Sequence, residues 1–124
     1  MAGLSATRTG RSLVLHSLAA LSGETIPSFQ RVLFAPDCSA RFVLLDLTRT
    51  EYADATGLRW LLQLRDALNE RRTALRVLAP PKSRIRRALM LAGYDRFLDL
   101  YDSARAAWRG SLKGQMPQRA GTPA

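Results

Sequence analysis

The sequence predicts a single α/β domain in which a mostly parallel sheet of four to five strands is covered by about four helices. Apolar segments of strand length alternate with amphipathic segments of helical length between residues 11 and 109. Such alternation is typical of parallel strands joined by right-handed helical crossovers. The length of 124 residues suits one domain, and a composition of 47% hydrophobic and 23% charged residues suits a globular one.

The first part of the chain predicts a flexible start, a strand region and a helix. Residues 1–10 are small and polar, which favours a flexible N-terminus. The apolar segment 12–21 predicts one or two short strands that end at the turn residues 22–23. In segment 25–34 apolar residues recur at helical spacing, and the Pro-Asp pair at 36–37 ends the predicted helix.

The middle of the chain predicts two buried strands, each followed by a helix. Residues 41–47 form a continuous apolar run, which is typical of a strand buried on both faces. Residues 57–68 carry an apolar stripe at helical spacing. The second strand, 74–79, ends at two prolines, and the next helix has Ser83 as its N-cap and Gly93 just past its C-terminus.

The last part of the chain predicts one more strand and helix before an unstructured end. Residues 97–101 alternate between apolar and polar, as a half-buried strand does. A final helix begins at 102–103 and ends near Trp108. Residues 110–124 are rich in Gly and Pro and have no periodicity, so they are predicted to be a disordered tail. The structured domain is therefore predicted over residues 11–109.

The scarcity of certain residue types excludes several classes of protein. One cysteine (Cys38) and one histidine (His16) exclude a disulfide framework and a Cys-rich or His-rich metal site, so no metal or other cofactor is expected. No apolar stretch approaches the ~20 residues of a membrane-spanning helix, and no signal-peptide core is visible. A reduced, cytoplasmic protein is expected. Because no phosphate-binding loop or nucleophile-base set is visible, an enzyme is not expected.

One polar segment points to a function rather than to the fold alone. It runs from the end of the first core strand into the following helix and reads Asp-Ala-Thr-Gly at 54–57. In open α/β sheets, binding sites lie beyond the carboxyl ends of the strands, where this segment is predicted to lie. Asp54 is a candidate N-cap, Gly57 admits the close approach of a partner's backbone, and Thr56 presents a hydroxyl in the first helical turn. Spacing alone also allows Thr56 to be an ordinary helix-end residue.

The segment and its surroundings resemble the STAS domain family, the fold of bacterial anti-sigma factor antagonists. In that family an Asp-Ser-Ser/Thr-Gly-Leu motif follows an apolar strand with an Asp near its end. Here residues 44–47 read Leu-Leu-Asp-Leu and residues 54–58 read Asp-Ala-Thr-Gly-Leu. The strand-then-proline segment at 75–81 and the helix-strand unit at 85–98 also resemble the family. The resemblance covers about residues 12–109.

The resemblance implies a phosphorylation site and a partner-binding surface. In antagonists of this family, the hydroxyl residue before the glycine is phosphorylated by the anti-sigma factor, which is itself a serine/threonine kinase. That residue matches Thr56. The implied partner-binding residues are Tyr52, Asp54, Ala55, Thr56, Gly57 and Arg59.

The chain departs from the family pattern at two places. Ala55 replaces the first motif serine, which makes Thr56 the only acceptor in the motif. The family's early Gly-Glu-Leu-Asp stretch is present only as Ser-Gly-Glu-Thr at 22–25, so the partner contacts of the first helix stay open.

Two functions are compatible with the resemblance. In the first, the unphosphorylated protein binds an anti-sigma factor kinase and frees a sigma factor, and phosphorylation of Thr56 releases the kinase. The protein then regulates sigma-factor-dependent transcription. In the second, the domain is a constitutive scaffold without phosphorylation, such as a subunit docked on the ATPase of a phospholipid-trafficking ABC transporter or a component of a signalling complex.

The chain is also strongly basic, with 19 Lys and Arg against 10 Asp and Glu and a net charge of +9. Lys82, Arg84, Arg86 and Arg87 lie within six positions at a predicted helix start, where positive charge opposes the helix dipole. This basic patch has two main interpretations: a solvated face of an arginine-rich protein, or a surface for an acidic protein partner. Nucleic-acid binding is disfavoured because no interleaved aromatic residues or helix-turn-helix pattern accompany the charge.

Overall fold

A computed structural model of the chain describes residues 4–33 and 40–110, which form a five-stranded sheet with helices on both faces. The strands are β1 Leu4–Thr9, β2 Ser12–Ser17, β3 Phe42–Asp46, β4 Ala74–Leu78 and β5 Asp99–Tyr101. The helices are α1 Ile26–Leu33, α2 Ala55–Glu70, α3 Arg84–Leu91 and α4 Ala104–Arg109. A 3₁₀ helix, Tyr94–Arg96, follows α3.

The spatial order of the strands is the same as their order in the chain. β1 pairs with β2 antiparallel, and the other three pairings are parallel, which confirms the predicted mostly parallel sheet. In the β2–β3 register, Leu15 lies beside Leu45 and His16 lies beside Asp46. The carboxyl ends of β2, β3 and β4 therefore meet at one edge of the sheet, and the loops that leave them are neighbours.

The core lies on both faces of the sheet, and β3 contributes to both. Val43 and Leu45 belong to the large core cluster with α1, α2 and α3, whereas Leu44 belongs to a smaller cluster with α4. The large cluster contains Phe29 and Trp60, whose ring centroids are 5.4 Å apart. This arrangement confirms that the apolar run at 41–47 is a strand buried on both faces.

The N-terminal segment differs from the prediction of a flexible start. Residues 4–9 form β1, and Leu4 is buried in the large core cluster. The segment lacks an apolar alternation because β1 is an edge strand whose residues 5–9 are all exposed. Backbone pairing with β2, rather than side-chain pattern, makes it a strand.

Several element boundaries also differ from the predicted ones. α2 begins directly after its predicted N-cap and extends beyond the apolar stripe at 57–68 in both directions. β5 is shorter than the predicted strand 97–101 because the 3₁₀ helix precedes it and leaves Phe97 half exposed. The predicted helix end at 36–37, Cys38 and residues 111–124 of the predicted tail lie outside the described residues.

Candidate functional site

The site is built around the first turn of α2. Asp54 has an extended backbone, and its Oδ1 accepts a hydrogen bond of 2.7 Å from the Gly57 N–H, which confirms the predicted N-cap. Ala55 and Thr56 follow as the first two residues of the helix, and both are exposed. Thr56 therefore lies at the positive end of the α2 dipole and is accessible to a second protein.

A short backbone pairing holds the loop before α2 in place. The Leu21 N–H donates to the Tyr52 carbonyl at 3.1 Å, and the Asp54 N–H donates to the Leu21 carbonyl at 3.2 Å. Leu21 thus forms a parallel bridge with Ala53, and its side chain is completely buried. The loop after β2 and the loop after β3 consequently form one connected surface.

Gly57 is required by this pairing. A Cβ atom at Gly57 would lie 2.0 Å from the carbonyl oxygen of Leu21, far inside van der Waals contact. The sequence predicted the approach of a partner's backbone at this glycine, whereas the backbone found there is that of Leu21, and Gly57 is buried. Its role is therefore internal: it lets the start of α2 pack against the loop after β2.

The exposed residues around Thr56 combine apolar side chains with charged side chains of both signs, and Glu51 is among those that line a cavity there. Leu18 and Tyr52 are 40% and 59% exposed, and both line a shallow cavity of about 280 Å³ with Arg49. Gly23 lies next to the Thr56 methyl group. We call this set of exposed residues the Thr56 surface: Leu18, Gly23, Arg49, Tyr52, Asp54, Ala55, Thr56 and Arg59.

Besides Gly23, which the sequence predicts only as a turn residue, sequence reasoning missed Leu18 and Arg49 of the Thr56 surface. Leu18 was assigned to a strand because it lies in the apolar run 12–21, but β2 ends at Ser17 and leaves it exposed. Arg49 lies in the predicted loop, yet no motif singled it out. Only the position of the two loops side by side reveals that both line one cavity with Tyr52.

Asp46 organises the base of the loop after β3. Its Oδ1 accepts hydrogen bonds from the backbone N–H and the hydroxyl of Thr48, and its Oδ2 lies 2.8 Å from His16 Nδ1. Burial raises the pKa of Asp46 through desolvation. The hydrogen bonds from Thr48 and His16, together with the charge of His16, outweigh that effect and hold the pKa below its ordinary value of 3.8. Asp46 therefore acts as a structural carboxylate that fixes the loop.

A larger groove lies at the same edge of the sheet, on the face that α4 covers. It has a volume of about 560 Å³ and is lined by His16, Asp46, Arg49 and Asp102 among others. Within residues 4–33 and 40–110, no group of three or more His, Cys, Asp or Glu side chains could hold a metal ion. In the same ranges, no helix has the length and apolar character needed to cross a bilayer.

The predicted basic patch is only partly exposed. Arg86 is buried, where its Nη1 donates to the Ala79 carbonyl and lies 3.0 Å from Asp102 Oδ1. Charged residues next to one another are usually solvated, so the sequence predicts that Arg86 is exposed. Its position on α3 instead directs its side chain toward the end of β4. Lys82, Arg84 and Arg87 are exposed.

Comparison with known proteins identifies the family. The family model of the STAS domain matches residues 4–107 of the chain. A search of curated proteins found no match to the chain. A crystal structure of a candidate anti-sigma factor antagonist from Thermotoga maritima is similar, with a TM-score of 0.73, 17% identity, and coverage of 86% of this chain and 92% of that one.

Two further solved structures share the fold. A sulfate transporter family protein from Wolinella succinogenes has a TM-score of 0.71 and 18% identity, over 82% of this chain and 84% of that one. An anti-sigma factor antagonist from Mycobacterium paratuberculosis has a TM-score of 0.69 and 22% identity, over 86% of this chain and 91% of that one. With the family model matched over residues 4–107 and this fold, the chain belongs to the STAS domain family.

Proposed function

We propose that this STAS domain is an anti-sigma factor antagonist that binds an anti-sigma factor kinase through the Thr56 surface and is released when Thr56 is phosphorylated. The observation that carries the proposal is an exposed Thr56 hydroxyl in the first turn of α2, at the motif position of the family. Similar structures that are described as an antagonist and as a candidate antagonist support this role. The proposal implies a cytoplasmic, non-enzymatic regulator of sigma-factor-dependent transcription.

The domain itself is expected to tolerate a phosphate at Thr56. Phosphorylation adds about −1.5 to −2 charge and three acceptor oxygens. The α2 N-terminus favours negative charge by about 0.3–1 kcal/mol, and Arg59 lies one helical turn further on. The Asp54 carboxylate already accepts a hydrogen bond from the Gly57 N–H, and it repels the phosphate. The phosphate is therefore expected to change the free energy of unfolding only slightly.

A docked partner is not expected to tolerate the phosphate. The Thr56 surface presents Leu18 and Tyr52 as apolar contacts and charges of both signs, with Arg49 and Arg59 as cations and Asp54 as an anion, and Glu51 lines the same cavity; this combination suits a partner with apolar pockets and complementary charges. A phosphate on Thr56 adds negative charge beside Asp54, repels any carboxylate that the partner places there and must be desolvated. Phosphorylation therefore weakens the complex while the fold persists.

The test compares Thr56→Glu with Thr56→Ala in binding to the anti-sigma factor kinase. Thr7→Glu is the matched control because Thr7 is also exposed but lies on β1. We expect Thr56→Glu to lose at least tenfold in affinity with an almost unchanged melting temperature, and the other two variants to bind normally. Equal binding by Thr56→Glu and the wild type would contradict the proposal.

Phosphorylation itself is tested on protein isolated from its host by intact mass and phosphopeptide mapping. We expect a phosphate on Thr56 that is absent from the Thr56→Ala variant. An unmodified Thr56 in both growth and stress would instead support the constitutive scaffold. That second candidate is favoured by one observation, the similarity to a sulfate transporter family protein, and it predicts a stable complex that does not depend on phosphate.

A further inference from the structure

We propose that the outer side of α3, together with the 3₁₀ helix after it, docks reversibly onto an anionic phospholipid surface. This region has no part in the Thr56 switch, and the inference does not depend on it. We call it the α3 surface, and its exposed residues are Lys82, Arg84, Arg87, Met90, Leu91, Arg96 and Phe97.

The cations and apolar residues of α3 share one side of the helix. At 100° per residue, Arg84, Arg87 and Leu91 fall on a single stripe, with Met90 at its border. Ile85 and Leu89 lie on the opposite side and are completely buried in the core. The exposed stripe is therefore not the packing face of the helix, and it is free to meet another surface.

The apolar part of this surface is unusually accessible. Leu91 is 82% exposed, and Met90 and Phe97 are 51% and 50% exposed. These three are among the six exposed large hydrophobic residues of the described chain, and they lie within eight positions of one another. Single exposed apolar residues are ordinary, but a group beside cations marks an interaction surface.

The charge of the surface selects an anionic partner. Lys82, Arg84, Arg87 and Arg96 contribute four positive charges, against one exposed carboxylate, Asp95. Two of these cations lie in or next to the first turn of α3, where the helix dipole opposes them, so folding alone gives no reason for their position. Arg86 is excluded because it is buried against the Ala79 carbonyl.

The shape favours a flat partner over a peptide or a nucleic acid. The α3 stripe of Arg84, Arg87, Met90 and Leu91 is the convex outer side of a helix. Cations beside Leu and Met side chains match the boundary between lipid headgroups and acyl chains. Duplex nucleic acids, in contrast, are bound mainly by cations that contact phosphates, and such contacts make no use of exposed Leu and Met side chains.

The α3 surface extends from one edge of the sheet toward the other. Lys82 and Arg84 follow β4 at the carboxyl edge, where Thr56 follows β3, whereas Phe97 precedes β5 and lines a cavity with Asn69 and Ala74 near the amino-terminal edge. The apolar end of the α3 surface is therefore the end away from Thr56.

The test is sedimentation of the full chain with vesicles at low salt. We expect binding to vesicles of equal parts phosphatidylcholine and phosphatidylglycerol, little binding to phosphatidylcholine alone, and weaker binding as salt rises. The paired variant Arg84→Gln/Arg87→Gln should partition onto the vesicles roughly thirtyfold more weakly, because each removed charge weakens partitioning about fivefold. Arg11→Gln/Arg41→Gln removes the same charge from exposed residues outside α3 and should lose much less.

The apolar contribution is tested separately with Leu91→Ser, which should weaken vesicle binding at constant charge. All substituted side chains are exposed, so the variants should keep the wild-type melting temperature. No binding to the anionic vesicles, an equal loss in both arginine pairs, or no effect of Leu91→Ser would each overturn the proposal. Binding of duplex DNA through Arg84 and Arg87, without vesicle binding, would overturn it in favour of a nucleic-acid surface.

Discussion

Thr56 owes its position to a glycine beside it that packs against another loop. Gly57→Ala should lower the free energy of unfolding by about 2–4 kcal/mol, because the added methyl group meets the Leu21 carbonyl at 2.0 Å. Gly23→Ala is the matched control, since its Cβ would meet only the Thr56 methyl group at 3.7 Å, an ordinary contact. Urea denaturation of both variants measures the difference.

The sign of the stability change in Gly57→Ala separates helix propensity from the contact with Leu21. Helix propensity alone favours alanine over glycine by about 1 kcal/mol inside a helix. A Gly57→Ala variant as stable as the wild type would therefore contradict the close approach of Leu21 to α2. The same variant should also bind the partner more weakly, because the loop that presents Thr56 would be displaced.

Asp46 should make the stability of the domain depend on pH. Its pKa is lower in the folded state than the ordinary 3.8, so the folded state binds the proton less readily than the unfolded state. The stabilisation is therefore complete well above 3.8 and is lost as the pH falls through the folded pKa. Asp46→Asn should be less stable than the wild type at pH 7, and the difference should shrink below 3.8.

Chemical denaturation at several pH values checks this expectation. Asp66→Asn is a suitable control because Asp66 is exposed and pairs with its neighbour Arg65 on the surface. A constant difference between Asp46→Asn and the wild type from neutral to acidic pH would show that the carboxylate charge has no part in fixing the loop.

At the scale of elements, Arg86 ties α3 to the end of β4. Its Nη1 hydrogen bond to the Ala79 carbonyl is buried, so Arg86→Ala should cost about 2–4 kcal/mol through the unpaired carbonyl and the lost packing. Asp102 is 62% exposed, and Asp102→Asn should cost less than about 1 kcal/mol. Arg87→Ala should change stability by no more than about 0.5 kcal/mol. Thermal melts of the three variants test this order, and a similar cost for Arg86 and Arg87 would contradict it.

The short helix α4 depends on side chains from the sheet. α4 has six residues, too few for stability in isolation. Arg76 on β4 donates from Nη1 to the Ala107 and Trp108 carbonyls at 3.1 Å, and its guanidinium lies 3.8 Å from the Phe42 ring centroid. Phe42 in turn contacts the Trp108 ring edge-on at 5.6 Å. These contacts provide hydrogen-bond donors for the carbonyl groups at the C-terminal end of α4 and hold the helix on the second face of the sheet.

At the scale of the whole molecule, we expect β1 to unfold together with the rest of the domain. Leu4→Ala should lower the global free energy of unfolding by about 2 kcal/mol, because Leu4 is buried in the large core cluster. Thr7→Ala, on the exposed part of the same strand, should have little effect. The fluorescence of buried Trp60 reports on the core, and an unfolding transition unchanged by Leu4→Ala would mean that β1 unfolds separately.

The local features of the fold could be predicted from short windows of the chain. The apolar run of β3, the apolar stripe of α2 and the Ser83 and Asp54 caps depend on residues only a few positions apart. Periodicity and capping report directly on such neighbours, so the fold class and the position of Thr56 at a helix start followed from them.

Contacts between distant parts of the chain could not be predicted in this way. The Leu21–Ala53 bridge, the pairing of β1 with β2, the burial of Arg86 and the exposure of Leu91 have no local signature. Each depends on strand register and on which face of a helix meets the sheet, and these are set by packing of the whole core. The sequence therefore determined most of the elements and the position of Thr56 at the start of α2, whereas tertiary packing determined the pairing of β1, which residues surround Thr56 and which cations reach the surface.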